Sequence, residues 1–537
     1  MTELLTAAQM RSVEAAAIAS GAVTGLELME RAGRGVVEAI FEEWPELRAT
    51  SHRAVVLCGP GGNGGDGFVV ARLLKEWGWE VEVFLYGDPE RMPPDARVNY
   101  ERWVGMGEVG NLTAADFDRA DVVVDALFGI GLSRGFEIPS ALNYEYHNFM
   151  ADGLWWTGVV RAPYIVAIDV VSELDADSGK CLQSPQELGG EMGAHLTVTF
   201  HAPKVGHYLD LAPAIGGKLR VVDLGIKQTM TKRGQEQRIV QRVERPVPNI
   251  WGPSVSKGVP WPEAAQHKYA HGHALILSGP PGHGGAARLA ARGALRIGAG
   301  VVTVGCPEGA VAENAARSEA VMLRGVVDGD GLTAVLEDKR INALCLGPGM
   351  GVGAREAGLV AVALLSRGEP RPTVLDADAL TLLAGDAGLF GALHAECVLT
   401  PHAGEFARLF PDLAEKLAAP ATKGPAYSKV DACREAAVRA GCVVLFKGPD
   451  TVIAAPDGRC AINSAAYERA APWLATAGSG DVLAGFITGL LARGFSPFDA
   501  ACTGAWLHVE CARSFGPGLI SEDLAEELPK VFRALGL

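Results

Sequence analysis

Short, continuously apolar runs alternate with helical segments along most of this chain, and that alternation restricts the fold more than any other feature. Residues 54–58, 81–86, 122–126 and 165–168 read as strands, with a helix predicted from Phe68 to Trp77 after the first of them. The pattern resumes at 274–277, 301–304, 343–346, 373–375, 397–399, 443–446 and 451–454. Strands that are apolar throughout must be covered on both faces, which predicts parallel sheets flanked by helices, an α/β class. The N-terminal stretch is helical instead. Thr6 with Gln9 three residues on suits a capping box ahead of Met10, Val13, Ala17 and Ile18 at helical spacing.

Between the two α/β runs, residues 227–265 are polar, carry Pro246, Pro248, Pro253, Pro260 and Pro262, and show little periodicity. They read as a linker between domains at 1–226 and 266–537. A chain of 537 residues exceeds what one core serves, which agrees with that division. The formal net charge of −15 argues against nucleic acid or an anionic membrane as a general partner. Ten cysteines are scattered without a CxxC pair, several inside apolar strands, as buried reduced thiols would be. The N-terminus lacks the regions of a signal peptide, and no apolar run approaches the ~20 residues of a membrane span. The expectation is a soluble, cytoplasmic protein. His267, His271, His273 and His283 cluster at no recurrent ligand spacing, so no zinc site is expected.

Glycine-rich strings at strand ends carry the chemistry. Gly478-Ser479-Gly480-Asp481 leads into Leu483, Phe486, Ile487 and Leu490 at helical spacing, so the glycines lie just before a helix N-terminus. Unpaired N–H groups and the positive dipole end make that point an anion site, with Asp481 placed for proton transfer or metal contact. An ordinary N-cap explains the turn by itself equally well. Its companions decide: Gly347-Pro348-Gly349-Met350-Gly351, Asp376 with Asp378, Thr400-Pro401-His402-Ala403-Gly404-Glu405, and Lys447-Gly448 each follow a strand. Ligands of open α/β sheets bind outside the carboxyl ends of strands.

Lys268 with His271-Gly272-His273, then the GPGMG, DADAL, TPHAGE, KGPDT and ATAGSGDVLAG strings, follow one another in this order over 266–537. Together they resemble the ribokinase-like ADP-dependent NAD(P)H-hydrate dehydratases. The resemblance implies a ribokinase-like α/β fold, Asp481 as catalytic acid or base, and ADP as co-substrate with Mg²⁺. It also implies that Lys447, Gly448, Thr451, Gly478, Ser479 and Gly480 hold the nucleotide, and that Ala286, Gly349, His402 and Asp481 line the site for the hydrated nicotinamide. One departure is that the family's Gly-Asn-Pro ahead of ATAGSGD is Ala470-Ala471-Pro472 here. The implied chemistry is coherent. Water added at C6 of the dihydropyridine ring leaves poorly, and phosphorylating that hydroxyl lets it depart as phosphate, a transfer that needs positioning and charge stabilisation.

Residues 1–226 carry Leu28-Met29-Glu30-Arg31-Ala32-Gly33, the loop Gly59 to Gly67, Asp125-Ala126-Leu127-Phe128-Gly129, and Phe200-His201-Ala202-Pro203-Lys204. These resemble the NAD(P)H-hydrate epimerases. That implies a Rossmann-like parallel-sheet domain with Asp169 acting on the substrate and K⁺ held by Asn63, Asp125 and Ser172. It implies a substrate site at Gly62, Asn63, Gly64, Gly65, Asp66, Gly129, Ile130, Gly131, Leu132, Ser133, Arg134 and Gly135. This half departs from its family at the family's Asp-x-Pro-Ser-Gly, which reads Asp169-Val170-Val171-Ser172-Glu173, and at the family's first loop Asn, which is Gly62. Residues 144–163, with Trp155-Trp156, read as an insertion. The whole reads as a bifunctional repair enzyme acting on hydrated NADH or NADPH with ADP, and as a homo-oligomer. The alternatives are a dehydratase whose N-terminal half is a non-catalytic binding or assembly domain, and a ribokinase-like small-molecule kinase.

Overall fold

The computed structural model describes residues 2–117, 119–135, 163–182, 193–226, 239–246, 267–365 and 369–536. The insertion read at 144–163 lies, but for its last residue, outside them. The chain divides into two compact units. One comprises Glu3–Ile239 with Ala419–Lys429, the other Met1–Thr2, Val240–Ala418 and Val430–Leu537.

The first unit is built on seven strands, all parallel. Across the sheet they run Val109–Asn111, Glu80–Leu85, Arg53–Cys58, Val122–Ala126, Tyr164–Ile168, Leu196–Phe200 and Lys218–Val222. In chain order this is third, second, first, fourth and onward, so the direction of winding reverses between Arg53–Cys58 and Val122–Ala126. Such a reversal splays the following loops and leaves a crevice where ligands bind. The loops close up at its base, where a Cβ on Gly59 would stand 1.7 Å from the Leu127 carbonyl oxygen. Ahead of the sheet, helix Ala7–Ala19 carries the expected Thr6–Gln9 capping box. The helix predicted from Phe68 begins earlier, at Gly62, so Gly62, Asn63, Gly64 and Gly65 form its first turn rather than a preceding loop.

The second unit follows the same logic with a mixed sheet. From His273–Leu277 the chain adds Val301–Cys306 and Met322–Gly325 on one side, in parallel. It then returns to add Ala343–Leu346, Thr373–Leu375, Cys397–Leu399 and Val443–Phe446 on the other, again in parallel. Asp450–Ala454 and Cys460–Ser464 continue the sheet antiparallel, so the all-parallel expectation holds only for its centre. Val240–Arg242, inside the stretch read as linker, pairs in parallel with Cys460–Ser464. Its polar sequence hid a strand whose partner lies over two hundred residues away.

Helix Ser479–Ala492 is buried from Val482 to Ala492, as a helix crossing a core must be. It lies against helix Gly285–Arg296, and a Cβ on Gly485 would stand 2.1 Å from the Ala290 carbonyl oxygen. Gly485→Ala is therefore expected to destabilise this unit by about 1–3 kcal/mol through overpacking, measured as an earlier urea midpoint. Nine of the ten cysteines are buried, in line with their apolar settings. Among the described residues no helix is long and apolar enough to cross a membrane, and no group of His, Cys, Asp and Glu is arranged to hold a metal. His273 is a buried ring bonded to the Thr303 hydroxyl at 2.8 Å.

Candidate active sites

In the second unit, the carboxyl ends of the central strands bring the expected residues together. Gly478 caps helix Ser479–Ala492 in the left-handed region, at φ 86°, which favours glycine, and Ser479, Gly480 and Asp481 form the first turn. Lys447, ending Val443–Phe446, reaches across to that turn. Its ammonium lies 3.4 Å from where a Cβ on Gly480 would be, and 2.8 Å from Asp376 Oδ1. Glu405 stands 3.7 Å away on its other side. Burial works against the charge on Lys447, but Asp376 and Glu405 outweigh it and hold the ammonium above its ordinary range. Asp481 is pushed the other way. Burial first, then Asp376, raises its carboxyl to about 7, with Lys447 opposing. A carboxyl at that value exchanges protons near neutrality.

The residues expected to border the hydrated nicotinamide lie at the same edge. The 347–351 loop lies against the 279–286 loop, with a Cβ on Gly349 2.7 Å from the His283 carbonyl and 3.3 Å from the Ala286 side chain. The Gly351 amide donates to Asp378 Oδ2 at 2.8 Å. His402 is exposed and caps helix Ala403–Leu409: its Nδ1 accepts from the Gly404 amide at 3.0 Å, which leaves Nε2 as the protonated nitrogen. Beside the Gly480 turn opens a cavity of about 510 Å³ lined by Lys447, Gly448, Thr451, Ser479, Gly480 and His508, among others. The Thr451 hydroxyl donates to the Gly448 carbonyl at 2.7 Å and fixes that lip.

In the first unit, Asp169 stands at the end of Tyr164–Ile168 with φ 67°. Its Oδ2 accepts from the Ile130 amide at 3.2 Å, and both Oδ2 and Asn63 Oδ1 lie about 3 Å from where a Cβ on Gly129 would be. Asp125 Oδ1 accepts from the Ser172 hydroxyl at 2.6 Å, and that hydroxyl accepts from the Phe128 amide at 2.9 Å. Asn63, Asp125, Gly129, Ile130, Asp169 and Ser172 therefore meet at the crevice, whereas Gly64 and Gly65 are buried, the first against the Gly59 backbone and the second against Met29 and Ala96. Gly131, Ser133 and Arg134 lie on the exposed continuation of the loop, with Leu132 and Gly135 half-buried. The Gly424 amide donates to the Ser133 carbonyl at 3.1 Å.

The family described as NAD(P)H-hydrate dehydratase matches residues 274–530, and that described as YjeF-related protein N-terminus matches 25–206. The bifunctional NAD(P)H-hydrate repair enzyme of Moorella thermoacetica is 36% identical, covering 99% of this chain and 97% of its own length. The chain belongs to the bifunctional NAD(P)H-hydrate repair enzymes. The NAD(P)H-hydrate epimerase of Rhodobacter capsulatus is 46% identical over 42% of this chain and 100% of its own. A solved structure, the ADP/ATP-dependent NAD(P)H-hydrate dehydratase of Bacillus subtilis co-crystallised with ATP/Mg²⁺, is 27% identical, covers 54% of this chain and 100% of its own, and has a TM-score of 0.42. The N-terminal half of this repair enzyme is its epimerase and the C-terminal half its dehydratase.

Within the family, the departures read from the sequence have specific outcomes. Ala470 and Ala471 line the cavity at negative φ, so alanine fits where glycine and asparagine are usual. Gly62 is exposed with nothing within 4 Å of a would-be Cβ, so the family's asparagine would fit there as well. Glu173 is different. It is buried and held at φ 88°, the conformation that the family's glycine adopts without strain. Holding glutamate there carries a local cost of about 1–2 kcal/mol.

Several neighbours were not singled out for a role from sequence. Asp376, Glu405 and Lys204 lay inside quoted strings, but only the fold shows which charges face each other. His508 carried no motif. Its Nε2 donates to the Ser479 carbonyl at 2.9 Å, and burial lowers the imidazole to about 4, so it steadies the Gly478–Gly480 turn as a neutral donor. Glu14, on helix Ala7–Ala19, is held above its ordinary range by burial and then by Asp169.

Proposed function

We propose that Asp481 is the general base of the dehydratase and Asp169 the proton-transferring residue of the epimerase. The observation that carries the first assignment is the meeting of Asp481 with Lys447 and Asp376 in the first turn after Gly478, beside the cavity that Lys447, Ser479 and Gly480 line. In this reading ADP lies in the cavity, with its phosphates on the amides of Ser479 and Gly480 and on Lys447. Asp481 takes the proton of the C6 hydroxyl as that oxygen attacks the terminal phosphorus, and AMP leaves. The C6–O bond then breaks, inorganic phosphate departs, and loss of a ring proton restores NADH or NADPH. Gly448 and Thr451 shape the nucleotide lip, while Ala286, Gly349 and His402 border the substrate.

The charge pattern fits Mg²⁺. Asp376, Asp378, Glu405 and Asp481 crowd one lysine and would repel a polyphosphate unless a cation accompanied it. Mg²⁺ bound with the phosphates would neutralise the developing charge. The oxygens of Asn63, Asp125 and Ser172 suit K⁺ in the epimerase. Burial pushes the Asp125 carboxyl up, as a buried carboxylate awaiting a cation would be, and Asn63 Nδ2 is buried without a partner among the described residues, so its amide is free to turn its oxygen to an ion. Gly62 and Asn63 would face the dinucleotide from the helix start, with Gly64, Gly65 and Asp66 supporting that turn from behind, and Gly129–Gly135 would face it from the opposite loop. The division at 1–226, 227–265 and 266–537, with the strand Val240–Arg242 of the middle stretch joined to the second unit's sheet, self-association and a cytoplasmic setting complete this reading.

Product analysis separates it from a kinase. With the S hydrate, ADP and Mg²⁺, phosphorus NMR should show AMP and inorganic phosphate rising one-for-one with recovered NADH. A stable phosphorylated nucleotide hydrate as end product would overturn the assignment.

A further inference from the structure

Lys204 is buried, 1% exposed, and fully engaged. Its ammonium donates to Asp169 Oδ1 at 2.7 Å, to the Thr199 hydroxyl at 2.7 Å and to the Phe200 carbonyl at 3.2 Å, which uses all three protons. The Thr199 hydroxyl donates to the same Oδ1 at 2.9 Å. Asp169 Oδ1 is therefore saturated from inside the fold. Oδ2 accepts one longer backbone bond, from Ile130, and lies beside Gly129 and Asn63 at the crevice.

The turn that follows Lys204 holds the other end of the residue. His207, in Val205–Tyr208, accepts from the Lys204 amide through Nδ1 at 2.9 Å, which leaves Nε2 to donate to the Asp169 carbonyl oxygen at 2.8 Å. Burial, then Lys204, lowers this imidazole to about 4, so it donates as a neutral ring. The left-handed backbone of Asp169 is thereby fixed from its carbonyl and its carboxylate at once.

We propose that Lys204 is a positioning residue for epimerisation: its ammonium pins Oδ1 of Asp169, so that Oδ2 faces the crevice to take and return the substrate hydroxyl proton. The proposal rests on the assignment of Asp169 above. Inverting the C6 carbon of the hydrate requires one of its bonds to break. Oδ2 removes the hydroxyl proton, the oxygen pair forms a carbonyl, and the C6–N1 bond opens with its electrons delocalised from N1 into the ring-derived enamide. Rotation about C5–C6 exposes the other face, N1 attacks it, and Oδ2 returns the proton. Atoms and charge balance, and no redox partner is needed.

Four titratable groups surround Asp169: Lys204 and His207 from the turn, Asp66 from helix Gly62–Glu76 and Glu14 from helix Ala7–Ala19. Burial pushes the Asp169 carboxyl up, but Lys204 outweighs it and holds the group below its ordinary range. Burial, then Asp169 and Glu14, hold Asp66 well above its own. Removing the Lys204 charge leaves the burial in place, so the Asp169 carboxyl must rise.

The test is the pH dependence of R-to-S epimerisation by the full chain, in wild type, Lys204→Met and Asp169→Asn, with dehydration of the S hydrate measured in the same preparations. In Lys204→Met the acid limb is expected to move up by about one to three pH units, and the neutral-pH rate to fall at least about ten-fold, while dehydration is unchanged. An inactive Asp169→Asn beside a Lys204→Met with an unmoved limb would overturn the proposal alone, even if the rate fell. Retained epimerisation in Asp169→Asn would remove the role of Asp169 and this proposal with it. Should Lys204→Met fail to fold, Thr199→Val, which deletes the hydroxyl bridging Nζ and Oδ1 at similar volume, carries the test. Its limb is expected to move the same way by less, and an unmoved limb overturns the proposal.

Discussion

Asp481→Asn is expected to lose dehydration of the S hydrate by about two to four orders of magnitude, the usual contribution of a positioned base, with epimerisation retained. Asparagine keeps the size of the side chain and removes its capacity to accept a proton. It also removes one carboxylate from the group around Lys447, so nucleotide affinity should hold or rise. Loss confined to kcat would separate this role from binding. The wild-type pH profile supplies an independent check. A base acts in its ionised form, and Asp481 ionises at about 7, so the rate should climb with pH through that value and level off above it. At pH 6 about a tenth of the plateau rate should remain. A flat profile between pH 5.5 and 8.5, about that range, would contradict the assignment.

Asp169→Asn is expected to abolish epimerisation and leave S-specific dehydration running in the same chain. A mixture of the two hydrates would then be repaired only to its S fraction, and the R form would persist. The substitution has a structural cost too. It leaves the Lys204 ammonium buried with the Thr199 hydroxyl and the Phe200 carbonyl but without its counter-charge, worth about 3–5 kcal/mol when one partner of a buried pair is removed. Thermal unfolding should therefore show the epimerase transition earlier, and the activity loss must be read at temperatures well below it.

The elements that position both sites were legible in the sequence because their strands are buried on both faces and end in glycine-rich strings. The Arg53–Cys58 and His273–Leu277 strands, which begin the two windings, are continuous apolar runs of this kind. What stayed hidden depended on distance. Val240–Arg242 is short and polar and becomes a strand only through a partner far along the chain, while Met322–Gly325 is short and largely exposed at the edge of its sheet. Ala419–Lys429, embedded in the C-terminal half of the sequence, belongs to the N-terminal unit, with nothing in its composition to announce it. Asp481 and Asp169 were placed by their strings, whereas the charges that tune them were not. Asp376 lies 71 residues from Lys447, and Lys204 lies 35 from Asp169, separations at which no periodicity reports contact. Glu173 shows the opposite limit. Glutamate stands where the family has glycine, and the fold holds it at a positive φ that its sequence gives no hint of.

The central claim, that one chain both inverts and dehydrates damaged nicotinamide nucleotide through Asp169 and Asp481, is tested most directly by recovery of reduced-nicotinamide absorbance. Pure R hydrate and pure S hydrate are each given to the full chain with ADP, Mg²⁺ and K⁺. Immediate recovery from the S form, recovery from the R form at the epimerisation rate, and S-only recovery with Asp169→Asn are the predicted results. No recovery from either hydrate, or equal recovery from both with Asp169→Asn beyond the uncatalysed rate, would contradict the claim.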